Sequence, residues 1–172
     1  MDEAEVCLKQ PGLESLQIIF NIFRQKPATA IFAEAAEKRV ALIVRLPLAS
    51  GLLSGKLTEG TKFPASDHRN YNRDGAQFNV GETFAGLPYE KGVELAEMLR
   101  DYVPEGFSMT QMALRWILDF PQITAVIPGA SRPEQARANA AVSNLPELGP
   151  ELHKALREFY EKEVAAHIRG PY

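Results

Sequence analysis

Cysteine is nearly absent from this chain: Cys7 is its single thiol. An intrachain disulfide is therefore excluded, stability must come from an apolar core, and the composition fits a reducing, cytoplasmic compartment. Cys7 lies on an expected helix with no histidine nearby, which favours a buried structural thiol over a nucleophile. Histidine is scarce as well, and Cys7, His68, His153 and His167 show no metal-ligand spacing, so no metal site is expected. An excess of either charge is also missing. The net charge of −3 argues against a general nucleic-acid or membrane-surface binder. No apolar run approaches transmembrane length, and Asp2, Glu3 and Glu5 stand where a basic leader would.

What remains is an ordinary globular composition, 45% hydrophobic and 24% charged over 172 residues, enough for one domain with a sizeable core. Glu3 to Gln10 reads as a helix stopped by Pro11-Gly12. Leu16 to Phe23 is strand-like, and Ala28 to Arg39 after Pro27 has a helical pattern. Val40 to Leu46 is a continuous aliphatic run, as expected of a strand buried on both faces of a parallel sheet. A polar stretch from Leu57 to Pro88 shows little periodicity, so within a compact fold it should be functional or partly disordered. Glu90 to Tyr102 and Ser108 to Leu118 are amphipathic helices, the second opened by a Ser108/Gln111 capping box. Ile123 to Pro128 is a third strand, Pro133 to Val142 its helix, and Pro150 to about His167 a terminal helix.

The most informative stretch is Ile-Pro-Gly-Ala-Ser-Arg-Pro-Glu-Gln-Ala-Arg-Ala-Asn at 127–139. A strand runs into a glycine and then into a helix entrance with Pro133 in the first turn, where its missing N–H costs nothing. Ser131 and Glu134 have the spacing of a capping box. Free amides and the positive end of the helix dipole suit an anion, and Arg132 adds a charge matched to phosphate. A nucleotide phosphate held at this turn and a well-capped surface helix both fit the residues.

Strands alternating with helices imply right-handed βαβ units and a parallel sheet. Three strands leave two open edges, and a closed eight-stranded barrel usually needs at least roughly 200 residues. The expectation is part of a larger fold.

With those segments placed, the chain resembles the aldo-keto reductases, NADP-dependent enzymes built as a (β/α)8 barrel. Pro-Leu-Ala-Ser-Gly-Leu-Leu-Ser-Gly-Lys at 47–56 is similar to the family's string after the seventh strand, and 127–139 to its string after the eighth. The resemblance implies that residues 1–172 are the C-terminal half of the barrel, strands six to eight, with a long loop at about 57–88 and a C-terminal helix and tail at about 150–172. It implies that Gln17 contacts the nicotinamide carboxamide. Arg45 stands where many relatives place a stacking aromatic, and a strand-end salt bridge is the alternative. Leu48, Ser50, Gly51 and Leu52 would pass under the pyrophosphate, with Lys56 as a phosphate cation or a solvated lysine. Gly129, Ala130, Ser131 and Arg132 would hold the 2′-phosphate of NADP, and Gln135 and Asn139 would touch adenine. The family's catalytic aspartate, tyrosine, lysine and histidine come from its N-terminal half, so no catalytic residue is assigned. Activity on a small carbonyl substrate would require that half. The alternatives are a half-barrel that self-associates through its open strand edges without redox chemistry, and a truncated product. The run His68 to Arg73 would gate the cofactor, face substrate or be solvated; Trp116 would pack helix against barrel. The tail 166–172 would fold over the barrel mouth or fray.

Overall fold

In a computed structural model, which describes residues 2–170, three parallel strands lie in the order β1 (Ser15–Ile19), β2 (Ala41–Arg45), β3 (Ile123–Val126). Among the described residues the α-helices are α1 (Asp2–Leu8), α2 (Lys26–Ala30), α3 (Phe32–Glu37), α4 (His68–Tyr71), α5 (Tyr89–Met98), α6 (Met109–Leu118), α7 (Pro133–Ala141) and α8 (Pro150–Phe159). Register pairs Gln17 with Ile43 and Ile19 with Arg45; a bulge between Leu42 and Ile43 then brings Ile43 opposite Ala125 and Val44 opposite Val126.

One sheet face carries the core. Ile18, Leu42 and Val44 are buried beneath the helices together with Phe20, Ile31, Phe32 and Trp116. The other face is only partly covered: Ile19, Ile43, Arg45 and Ala125 are half-buried and Gln17 is exposed. A strand expected to be buried on both sides is therefore buried on one. Each face is still dominated by aliphatic side chains, which is why composition alone signals double burial.

Several expected boundaries shift for local reasons. β1 stops at Ile19 because Asn21 folds the chain back, its Oδ1 accepting from Phe23 N–H at 3.0 Å while Asn21 and Arg24 form an antiparallel bridge. Phe20, Ile22 and Phe23 are fully buried in that turn, so their hydrophobicity serves packing and not pairing. The single helix expected over Ala28 to Arg39 is two, α2 and α3, broken at Ile31 with φ −130°. Pro27 lies inside the first turn of α2, not before it. The Ser108/Gln111 capping box is present, with Gln111 N–H donating to Ser108 Oγ at 3.2 Å. Cys7 is half-buried and free, not buried as expected. Trp116 packs with its ring stacked 4.9 Å from Phe20.

The segment 57–88 is ordered. Asn72, fully buried, accepts at Oδ1 from Gln77 N–H (2.9 Å) and Phe78 N–H (3.0 Å) and donates from Nδ2 to Thr83 Oγ1 at 3.1 Å. Of the expected tail, Arg169 closes over this loop, while residues 171 and 172 lie outside the described residues. Arg169 reaches Asp74 at 2.7 Å and the carbonyls of Arg73, Gly86 and Leu87 at 3.0–3.1 Å. Among the described residues, no helix is long and apolar enough to cross a membrane, and no group of three metal-ligating side chains gathers.

Candidate functional site

The C-terminal ends of the three strands carry the candidate site. After β1, Asn21 Nδ2 donates to Leu46 O at 3.0 Å, tying that end to the turn after β2. After β2 the chain winds through Ala49–Ser54 with Leu46 (φ 52°), Ala49 (47°) and Ser50 (57°) in the left-handed region. Non-glycine residues pay a steric penalty there, and such strain persists where the surroundings fix it. Here the fixing contact comes from the long loop, which carries its own pair of left-handed residues, Phe84 (φ 53°) and Ala85 (58°). Phe84 N–H donates to Ser50 Oγ at 3.0 Å, and Arg24, nearly buried, donates to Ala85 O at 3.2 Å. The two strained turns are bonded to each other.

Arg45 ends β2 and makes a two-pronged ion pair with Glu82 of the loop. The hydrogen bonds from Arg45 hold the Glu82 carboxyl below the usual carboxylate range, against a smaller opposing effect of burial, and the same bonds raise Arg45. The salt bridge weighed as the alternative for Arg45 is thus formed. Gly51, at φ 102°, borders Arg69, whose Nη1 would lie 3.7 Å from a Cβ at that position. The Arg69 guanidinium lies over Phe63, 4.4 Å from the ring centre, and pairs with Asp67 at 2.7 Å. That hydrogen bonding depresses the Asp67 pKa to about 2. The run His68 to Arg73 is therefore not simply solvated: Arg69 is ordered beside the glycine turn and Asn72 is buried.

Gln17 sits mid-strand on the open face, not at the strand start, and Leu48 is half-buried. Leu52 is fully buried with its side chain in the core, so only its backbone faces the turn. Lys56 is exposed, its N–H donating to Ser54 Oγ at 3.3 Å.

After β3 the capping differs from expectation. Arg132 precedes Pro133 and is extended (φ −142°, ψ 147°), as a proline imposes on its predecessor. The helix therefore starts at Pro133, Arg132 is its N-cap, and the third helical residue is Gln135, not Glu134. Gln135 Oε1 accepts from Ser131 N–H (2.8 Å), Ser131 Oγ (3.0 Å) and Arg132 N–H (3.1 Å). Gly129, Ala130, Ser131 and Arg132 are exposed, and Asn139 Nδ2 reaches Gly129 O at 3.5 Å. The Arg45–Ser54 group and the Gly129–Asn139 group occupy the ends of neighbouring strands, with no hydrogen bond or ion pair between them among the described residues.

Sequence reasoning missed Glu82 and Asn21, and it placed Arg69 only within the run His68 to Arg73, without its Asp67 and Phe63 partners. A lone acid in a polar stretch announces nothing, and the partner of Glu82 is distant in sequence. Asn21 carries a faint signal, a polar residue within an apolar run.

Three parallel strands joined by helices make this an α/β protein, and in barrels built of such units the strand C-termini form the active face. The sequence model of the aldo/keto reductase family matches residues 1–161, and the chain belongs to that family. It is 27% identical over 159 residues to an aldo-keto reductase of Bacillus subtilis, covering 92% of this chain and 45% of that one. It is 35% identical over 108 residues to the L-glyceraldehyde 3-phosphate reductase of Escherichia coli, covering 62% of this chain and 30% of that one. The solved glycerol dehydrogenase of Gluconobacter oxydans superposes with a TM-score of 0.68 at 23% identity, covering 92% of this chain and 44% of that one. The fold is thus shared, and the chain spans less than half the length of these relatives.

Proposed function

We propose that this chain is the cofactor-binding half of an NADP-dependent oxidoreductase that reduces a small carbonyl compound. The observation that carries the reading is the convergence of three donors (Ser131 N–H, Ser131 Oγ–H and Arg132 N–H) on one oxygen atom, all within 2.8–3.1 Å. A cluster that places three hydrogens on one carboxamide oxygen suits a phosphate oxygen, and the exposed Arg132 guanidinium beside it would supply charge. Gln135, displaced as acceptor, would turn with Asn139 towards the adenine ring.

Gly51 and its neighbours would let backbone approach the pyrophosphate, with Arg69 and Lys56 as nearby cations. Arg45, held by Glu82, would offer a planar face towards the nicotinamide, and Gln17 would hydrogen-bond the carboxamide. NADPH, when bound, supplies the hydride. Proton delivery to the carbonyl would fall to the part of the family's barrel that this chain does not span.

Calorimetric titration of the chain with NADPH and NADH tests the assignment. A charge-assisted contact to phosphate is worth about 1.5–3 kcal/mol, so Arg132→Ala should weaken NADPH by about ten- to a hundredfold and leave NADH nearly unchanged. Equal effects on the two, or none, would refute it.

A second reading rests on the half-covered sheet face and the exposed edges of β1 and β3, with Ile127 48% exposed beyond β3. A complementary barrel half, or a second copy of this chain, would cover them. Sedimentation that finds a stable, well-folded monomer would count against self-association.

A further inference from the structure

One side chain fastens the C-terminal tail to the long loop. Arg169 donates from Nε to Gly86 O at 3.1 Å and from Nη2 to Arg73 O at 3.0 Å and Leu87 O at 3.1 Å. Its Nη1 reaches Asp74 Oδ1 at 2.7 Å, and its backbone N–H bonds Gly86 O at 3.1 Å. Every guanidinium nitrogen is therefore engaged. Asp74 is largely exposed, so that ion pair adds little. The carbonyl bonds are charge-assisted and fix the planar fork against backbone.

Residues 80–87 receive this grip, and the same residues touch two strand ends. Glu82 pairs with Arg45 at the end of β2. Arg24, from the turn after β1, bonds Ala85 O and fills the space beside Gly81, where an added Cβ would lie 2.8 Å from its Nη1. Leu87 N–H donates to Phe84 O at 3.1 Å, which closes a turn between the Arg169 contact and Phe84. Phe84 N–H then donates to Ser50 Oγ at 3.0 Å. Ala49 and Ser50 on one side of that bond, and Phe84 and Ala85 on the other, are all left-handed. Non-glycine residues stay in that region only where their surroundings hold them. Within the first turn, Gly51 N–H and Leu53 N–H both donate to Leu48 O, at 2.9 and 3.2 Å. A continuous path of hydrogen bonds thus runs from the tail to the strained turn after β2.

We infer that Arg169 is a positioning residue for the turn at 49–51: docking of the tail selects the conformation of that turn. By reciprocity, a ligand that requires the turn in this conformation fastens the tail. The ligand meant is a dinucleotide with its pyrophosphate on the turn, and this part rests on the cofactor reading given above. The link between tail and turn stands on the hydrogen bonds alone.

Hydrogen exchange at the Phe84, Gly51 and Leu53 amides of the full chain reads the turn without any ligand. Arg169→Ala should quicken exchange at Phe84 and Gly51 by about tenfold or more, the equivalent of one charge-assisted bond. The Ile127 amide, which donates to Val44 O at 2.9 Å between β3 and β2, should be unaffected. Asp74→Asn removes the exposed ion pair and spares the carbonyls, so it should change the turn amides by less than about fivefold. NADPH should bind the Arg169→Ala chain about fivefold or more weakly than the parent. Saturating NADPH should slow tryptic cleavage after Arg169 in the parent by a like factor. Phe84 and Gly51 amides as well protected in Arg169→Ala as in the parent would overturn the inference. So would equal NADPH affinity in the two chains. A parent chain that binds no NADPH would strike the cofactor reading alone, and the exchange result would still decide whether tail and turn are coupled.

Discussion

Replacing Asn72 by alanine should unlock the long loop without unfolding the sheet. Asn72 has no exposed surface and makes three hydrogen bonds. Its orientation is unambiguous, because two backbone N–H groups can only donate and so require the carboxamide oxygen. At about 0.5–1.5 kcal/mol net for each bond, the loss totals about 2–4 kcal/mol. Gln77 and Phe78 are exposed apart from these amides, so water reaches the freed groups and the penalty falls on the loop more than on the core. Each 1.4 kcal/mol is a factor of ten, so native-state hydrogen exchange at the Gln77 and Phe78 amides should quicken by roughly 30- to 700-fold. Exchange within β2 should change far less. If those two amides keep their protection in Asn72→Ala, Asn72 is not what organises the segment. If β2 exchanges equally faster, the loop and sheet unfold as one unit and the separation drawn here is wrong.

Gly86→Ala should strip the tail from the loop: the residue sits at φ 87° and an added Cβ would lie 2.9 Å from Arg169 O, a backbone atom that cannot step aside. Limited proteolysis should then cut near residues 168–170, and an unchanged digestion pattern would contradict the docking. Asp67, held at about 2, is depressed in the folded chain. Its contribution is therefore complete above the ordinary carboxylate range and lost as pH falls through about 2. Protection of the Arg69 amide, which donates to Asp67 Oδ1 at 2.9 Å, should drop between about pH 4 and 2, and in Asp67→Asn the step should be missing. Phe20→Ala removes a buried ring that touches Phe32, Trp116 and Phe120. It should cost about 3–5 kcal/mol, read from urea unfolding, and a loss below 1 kcal/mol would mean the ring cluster is not the core.

Features set by neighbours in sequence were legible, and those set by distant partners were not. The Ser108/Gln111 box could be read because both residues lie on one helical turn. The box after β3 was misplaced by one residue because the extended bias before a proline outweighs the preference for serine at an N-cap. β2 was found within a residue at either end, since an aliphatic run has few alternatives. The loop defeated periodicity because its order comes from buried amide bonds and from Arg169, a contact nearly a hundred residues away. At the candidate site, the glycine turn and Ser131–Arg132 were visible as motifs. Glu82 and Arg69 were invisible in those roles, because a charged residue's partner across a fold leaves no local trace.

Helix α7 contains no buried residue. It lies on the molecule like a plank fixed at its ends, steadied at one by Gln135 and at the other by Val142, which is fully buried. A helix this short is only marginally stable without packing, so the Ser131–Arg132 corner inherits its steadiness from whatever comes to rest against that plank. Under the proposed function, covering the helix and sharpening the grip on a phosphate would be one event, and the two affinities would rise together.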